Sequence, residues 1–249
     1  MMAALRYEWL RVTTIRSTKI MLVLALVLSA GLSYLISGLG KGAGDGAPVS
    51  LDWYTAFGAP LGIAAILASV MGAQAIGQEY RFGLIRLTLT SFPRRAQILV
   101  AKIAVVVLAG VAVTAMSYLG SEIGLALHGQ PVPASDIVAP DSTYFLRGLV
   151  YVVLWGLSAF AIAGVTRQTA LGIAIPLVSG KIVEQLLGVF LVDRAPWLVA
   201  HLPWSSADRW LMSGGFTEDP VGWAAIATFA VWVAGFLLIQ AVAFIRRDA

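Results

Sequence analysis

The chain has 249 residues, of which 59% are hydrophobic and 12% are charged, with a formal net charge of +4. Ordinary globular domains carry roughly 25% charged residues, so this composition excludes a soluble protein and predicts a multispan membrane protein. The absence of cysteine excludes disulfides and thiolate metal sites, and the distribution of the positive charge favours a membrane surface over nucleic acid as its partner.

The first predicted element is a helix over residues 2–19 that lies along the membrane surface. Leu5, Trp9 and Val12 recur at helical spacing and form an apolar stripe. The basic residues of this segment that can reach anionic headgroups are Arg6, Arg11, Arg16 and Lys19. The alternative is a basic flank that only sets orientation. No cleavage pattern follows the next apolar run, so we expect it to remain as the first span.

Six apolar segments are long enough to cross a bilayer as helices. They cover residues 20–39, 54–77, 98–127, 144–165, 169–192 and 221–245. The predicted fold is therefore all-α, with residues 1–249 forming one polytopic membrane domain. Pro60 and Pro176 fall inside predicted spans, where a proline removes a backbone hydrogen bond, so both are candidate hinges or static kinks.

The basic residues between the spans are distributed unequally. Twelve of the 17 Lys and Arg residues fall on one side: Arg6, Arg11, Arg16, Lys19, Arg81, Arg86, Arg94, Arg95, Lys102, Arg167, Arg246 and Arg247. The other side has Lys41, Arg147, Arg194 and Arg209. By the positive-inside rule, both termini are predicted to be cytoplasmic, in a multi-pass protein of the inner (cytoplasmic) membrane.

The segment 79–102 connects spans 2 and 3 and has an amphipathic pattern. The predicted apolar face consists of Phe82, Ile85, Leu89 and Phe92, and the polar face of Glu79, Gly83, Arg86 and Thr90. Pro93 is expected to end this helix. The pattern predicts a short cytoplasmic helix that presents its polar stripe to a partner; the alternative is a long basic loop.

The outer connections differ in character. Residues 41–50 and 128–142 are rich in Gly or Pro and are predicted to be irregular loops. The last outer connection contains Trp197, Trp204 and Trp210, which suit the headgroup level, and Ser205 with Asp208 has the form of a capping box. We therefore expect a short interfacial helix at residues 206–212.

Charged residues inside spans are the other functional candidates, because burying an unpaired charge is costly. Lys181 and Glu184 stand three residues apart in span 5, a spacing that lets them face each other on a helix. They are either a structural pair or part of a translocation path or dimer contact. Glu122, near the outer end of span 3, either has such a translocation or dimer role or simply reaches the headgroups.

Seven residues around the connection of spans 2 and 3 resemble the pattern of the ABC-2 type permeases. They are Glu79, Gly83, Arg86, Leu89, Pro93, Arg95 and Lys102. The resemblance extends to the basic first helix, the six spans and the short outer helix before span 6. Leu84 departs from the family, which usually has Thr after that glycine.

The resemblance implies a transmembrane subunit of an ATP-driven exporter of amphipathic cargo, two copies of which pair with two copies of a separate ATPase. It implies ATPase-coupling roles for Glu79, Arg81, Phe82, Gly83, Arg86, Leu89, Pro93 and Arg95. ATP and magnesium are expected on the partner, with no cofactor in this chain. Residues 38–42, Gly-Leu-Gly-Lys-Gly, lack the spacing and hydroxyl of a phosphate loop, so the chain is not expected to be an enzyme.

Two other classes of function are compatible with the sequence. An ion-coupled secondary transporter would use Glu122, Lys181 and Glu184 and would need no ATPase. A membrane anchor would use the 79–102 segment as a static docking site. His128 and His201 have no metal-ligand spacing, which disfavours an intramembrane metalloenzyme.

Overall fold

The computed structural model describes residues 2–41, 57–91, 94–127, 129, 142–212 and 220–246, and all regular elements in these ranges are helical. The elements are α1 (Met2–Thr14), α2 (Arg16–Lys41), α3 (Ala59–Arg81), α4 (Ile85–Ser91), α5 (Arg95–Leu127), α6 (Ser142–Thr166), α7 (Thr169–Val178), a π-helical stretch (Ser179–Val183), α8 (Glu184–Leu191), α9 (Pro196–Ala200), α10 (Pro203–Met212) and α11 (Pro220–Arg246). The predicted all-α class is confirmed. The predicted loops at 41–50 and 128–142 fall almost entirely outside these ranges.

Six helical segments are long and apolar enough to cross a membrane, which confirms the predicted number. They are Arg16–Gly38, Ala59–Arg81, Arg95–Leu127, Phe145–Thr166, Thr169–Leu191 and Gly222–Arg246. The third has 33 residues, which corresponds to about 50 Å at 1.5 Å per residue. A hydrocarbon core is about 30 Å thick, so α5 is long enough to extend well beyond it.

Helices α3, α5 and α6 form the buried centre of the bundle, and α2, α7, α8 and α11 lie around it. Helix α3 packs very closely against α6. A Cβ atom on Gly72 would overlap the carbonyl group of Gly156, and a Cβ atom on Gly156 would lie 3.2 Å from the Ala68 carbonyl oxygen. Small residues thus let the backbones of spans 2 and 4 touch.

Several contacts bring distant parts of the chain to one end of the bundle. The Arg95 guanidinium donates a 3.1 Å hydrogen bond to the Ile245 carbonyl, which joins the start of α5 to the end of α11. A Cβ on Gly77 would overlap Thr169, which places the end of α3 against the α6–α7 turn. Helix α1 also contacts α5. We call this end of the bundle, which includes α1, α4 and Arg167, the basic end.

The two predicted hinge prolines have different positions. Pro60 lies in the first turn of α3, after two π-helical residues, a position that a helix accommodates, and its role as a hinge or static kink stays a prediction. Pro176 lies inside α7, and the π-helical stretch begins three residues later. The backbone of span 5 is therefore irregular at its middle, as expected from a proline in a helix interior.

Candidate coupling site and buried charges

A short helix, α4, follows α3 at the basic end after a tight turn. The turn is closed by hydrogen bonds from the Phe82 N–H to the Gln78 carbonyl (3.0 Å) and from the Gly83 N–H to the Tyr80 carbonyl (3.3 Å). Gly83 has a φ of 68°, a left-handed conformation that favours glycine. Ile85 is buried and anchors the start of α4. The glycine thus sets the angle between α3 and α4.

The two faces predicted for residues 79–92 are wrong, because the segment is not one helix. Glu79 lies in α3 and is buried, whereas Gly83 lies in the turn. Phe82 is 65% exposed while Ile85 is 6% exposed, so these two apolar side chains do not share a face. Arg86, like Thr90, is an exposed residue of α4. The exposed part of the predicted stripe is therefore limited to α4 itself.

Four charged side chains meet in a buried cluster at the junction of α1, α3 and α5. The Lys102 ammonium lies 2.7 Å from Glu8 and 2.5 Å from Glu79. The Arg11 guanidinium also binds Glu79, and lies 3.4 Å from Glu8. In addition, it donates a 2.6 Å hydrogen bond to the Ala75 carbonyl. We call Glu8, Arg11, Glu79 and Lys102 the charge quartet.

The charge quartet contains two cations and two carboxylates, so their formal charges cancel. Glu8, Glu79 and Lys102 are almost fully buried, and removing any one would leave an uncompensated charge in the interior. The Glu79 Oε2 atom has no hydrogen-bond partner among the described residues. The quartet therefore fixes the last turn of α3 to both α1 and α5.

The quartet corrects the sequence-based interpretations of Glu79 and Arg11 and shows where Lys102 lies. Glu79 is not presented to the surface, because both cations draw it into the interior. Lys102, counted among the inner basic residues, is fully buried. Arg11, expected at headgroups, turns inward to Glu79. Leu5 and Trp9 are exposed, as a helix on a membrane surface would require, and that position of α1 stays a prediction.

The remaining predicted coupling residues are spread around α4. Arg81 lies exposed at the end of α3, with its guanidinium 5.5 Å from the Phe82 ring centroid. Arg95 begins α5 and binds the end of α11. Leu89 belongs to α4, and Pro93 lies outside the described residues. The structure thus leaves Arg81, Phe82 and Arg86 exposed and assigns Glu79 and Arg95 to contacts within the chain.

A second polar cluster joins the middle of span 5 to α6 and α10. The Lys181 ammonium lies 2.9 Å from Asp208, and the Tyr151 hydroxyl donates a 2.9 Å hydrogen bond to the same carboxylate. The ammonium also lies 5.1 Å from the centroid of the Trp155 ring. The predicted pairing of Lys181 with Glu184 is wrong, because Lys181 lies in the π-helical stretch, where residues three apart no longer share a face.

Glu184 instead binds the backbone of α10. Its carboxylate accepts a 2.6 Å hydrogen bond from the Ser205 N–H. Because the helix begins at Pro203, Ser205 lies inside it, and the predicted capping box is wrong. The Arg209 guanidinium donates to the Ala200 carbonyl and to the Ser206 hydroxyl. Burial lowers the pKa of Arg209 from its usual value, and the Glu184 carboxylate opposes that shift.

The tryptophans near α10 do not all face outward. Trp197 is 69% exposed, as expected for a residue at headgroup level. Trp204 and Trp210 are buried, because Trp204 packs against Trp155 and the Arg147 guanidinium lies 4.9 Å from the Trp210 ring centroid. The helix therefore packs into the bundle through these two residues, and its relation to a membrane surface stays a prediction.

Glu122 lies near the end of α5 remote from Lys102 and is partly buried. It does not join Lys181 and Glu184 in any contact that the structure describes. Sequence reasoning missed Glu8, Arg11 and Asp208 as partners of the predicted site residues. A signal existed for Glu8, because it is one of very few carboxylates on a side of the chain rich in Lys and Arg, which indicates ion pairing.

The chain matches no protein-family model, and no curated protein is significantly similar to it in sequence. What the geometry defines is a class: a helical protein with six candidate membrane spans and a buried charge quartet at one end of the bundle. That end also carries a short exposed helix between the second and third spans.

Proposed function

We propose that the chain is the transmembrane subunit of an ATP-binding cassette exporter, acting as a dimer with two copies of a separate ATPase. The observation that carries the proposal is the connection between α4 and the charge quartet. Helix α4 is connected to α3 by the tight turn at Gly83. Glu79 lies in the last helical turn of α3 and binds both α1 and α5. A push on α4 therefore acts on three helices at once.

The surface of α4 has the character of a docking element. Arg86 and Leu87 are exposed, together with Phe82 in the preceding turn. Exposed phenylalanine and arginine side chains are of the types enriched in protein interfaces, which suits this surface to docking. An ATPase that closes on ATP binding would move this surface relative to the bundle, and the cargo would be an amphipathic peptide, antibiotic or lipid.

The contacts of Lys181 and Glu184 differ from those expected of an ion-coupled transporter. Lys181 binds Asp208 and Glu184 binds the Ser205 N–H, both in α10. The described contacts do not link either residue to Glu122. Their geometry supports a structural role that fixes α10 on span 5. We therefore favour the exporter over the secondary transporter.

The deciding experiment is copurification of the chain with its ATPase, followed by ATPase and transport assays in proteoliposomes. Arg86→Glu is expected to lower binding of the ATPase or to uncouple hydrolysis from transport at least tenfold. Arg246→Glu is the matched control, because Arg246 is exposed at the basic end but outside α4. Normal ATPase binding and transport by Arg86→Glu would contradict the proposal, as would transport by the chain alone that follows an ion gradient.

A further inference from the structure

We infer that Arg86 and Arg167 form a binding site for the phosphate of an anionic phospholipid at the basic end. The site shares Arg86 with the surface proposed for the ATPase, so its test uses the chain without that partner. The two arginines line an open pocket of about 340 Å³, together with Tyr80, Gly83 and Ile85. One arginine comes from α4 and the other from the turn between α6 and α7. The pocket therefore exists only because the fold brings two separate connections together.

The pocket has an unbalanced positive charge. Its lining contains two guanidinium groups and no carboxylate. Among the described residues, neither group forms an ion pair or a hydrogen bond, in contrast to Arg11 and Lys102 at the same end, which are neutralised in the charge quartet. Guanidinium groups bind phosphate oxygens through paired N–H donors, so a phosphate monoanion or dianion is the complementary ligand.

The backbone of Arg167 holds its side chain at the pocket under strain. Its φ is 58°, and it is the one non-glycine residue with positive φ in the described part of the chain. Glycine would adopt this conformation more easily, so the turn keeps an arginine at a local cost. The guanidinium lies 5.4 Å from the centroid of the Tyr80 ring, which further restricts its orientation. Arg167 follows the last residue of α6, where a left-handed residue commonly ends a helix, so this conformation also directs the chain into α7.

The location of the pocket favours a lipid headgroup over other phosphates. Arg167 separates two candidate spans, and Tyr80 is in the last turn of a third, so the pocket lies where spans end and headgroups begin. Phe82 and Leu84, on either side of Gly83 in the chain, are exposed and apolar. These two side chains suit contact with acyl chains, while the arginines hold the phosphate.

The test compares spin-labelled phosphatidylglycerol with spin-labelled phosphatidylcholine for association with the full chain in phosphatidylcholine vesicles. Each arginine near a membrane surface strengthens the binding of an anionic lipid about fivefold. We expect Arg86→Gln and Arg167→Asn each to lower the phosphatidylglycerol preference by about that factor. Asn tolerates positive φ, so the second substitution removes the charge and keeps the turn. The lysine variants at both positions should retain most of the preference.

Arg246→Gln is the control for general surface charge, because Arg246 is exposed at the basic end but does not line this pocket. Its phosphatidylglycerol preference should equal that of the unmodified chain. Equal losses in all three neutralised variants would overturn the proposal, since they would reflect charge at the surface. Equal association of both lipids with the unmodified chain would also overturn it and would assign the pocket to an acidic side chain of a protein partner. Inorganic phosphate that abolishes the preference at millimolar concentration would overturn the lipid as ligand.

Discussion

Lys102 and Glu79 form a fully buried ion pair of 2.5 Å between the start of α5 and the last turn of α3. Both residues belong to the pattern that resembles a coupling motif, yet neither reaches the surface. Their contribution is to hold the last turn of α3, which leads into α4, against α5. In the proposed exporter, these two residues would transmit motion to the bundle without touching the ATPase.

The charge quartet should be the most sensitive site for stability. Lys102→Met leaves two buried carboxylates facing each other with Arg11 as their remaining cation, which should cost about 3–5 kcal/mol of unfolding free energy. Thermal unfolding in detergent measures the loss. Arg94→Gln is the control, because Arg94 is exposed at the same end. An unchanged melting temperature for Lys102→Met would show that the quartet does not hold the helices together.

The Lys181 ion pair predicts energetic coupling to Asp208 and little coupling to Glu184. A double-mutant cycle of Lys181→Met with Asp208→Asn should give about 0.5–1 kcal/mol, because the lysine side chain is 39% exposed and the pair is partly screened. The cycle of Lys181→Met with Glu184→Gln should be additive within about 0.3 kcal/mol. Larger coupling in the second cycle would restore the pairing first inferred from sequence spacing.

Gly83 should matter for the direction of α4 more than for global stability. Gly83→Ala forces an alanine into a left-handed conformation at a cost of about 1–2 kcal/mol, which the turn can relieve by swinging α4. We expect reduced ATPase stimulation in the reconstituted complex. Gly129→Ala carries the same strain at a φ of 74° elsewhere in the chain and should leave coupling unchanged. Equal effects of the two variants would argue against a special role of the α3–α4 turn.

Two glycine substitutions, one in the contact of α3 with α6 and one in open space, should have opposite effects on stability. Gly72→Ala inserts a methyl group into the Gly156 carbonyl and should destabilise the fold by about 1–3 kcal/mol. Gly31→Ala adds a methyl group in open space on α2 and should raise stability by up to about 1 kcal/mol through helix propensity. Melting temperatures of the two variants in the same detergent provide the comparison.

Length and apolarity were sufficient to predict the six spans, because a bilayer-crossing helix needs a long uninterrupted run of apolar residues. The sequence also predicted a break before α5 and a short helix near α4 and near α10. Its helix starts were wrong where a tertiary contact replaced a local signal. At α10, Ser205 resembled a cap, but Pro203 already begins the helix and Glu184 takes the Ser205 N–H.

The partners of the charged residues were not predictable from spacing. Glu79 contacts Arg11, 68 residues away, and Lys181 contacts Asp208, 27 residues away, so both pairs depend on helix packing. The spacing argument for Lys181 and Glu184 assumed a regular α-helix, which the π-helical stretch after Pro176 does not provide. Periodicity in one segment carries no information about such long-range contacts.

The backbone contact between Gly72 and Gly156 restricts how the bundle can change shape. At this point the two backbones touch with no side chain between them, so moving the helices apart would open a gap that neither glycine can fill. We therefore expect α3 and α6 to move together as one rigid unit. Distances between spin labels on α3 and α6 should stay constant through a transport cycle, while distances from these two helices to the surrounding ones change.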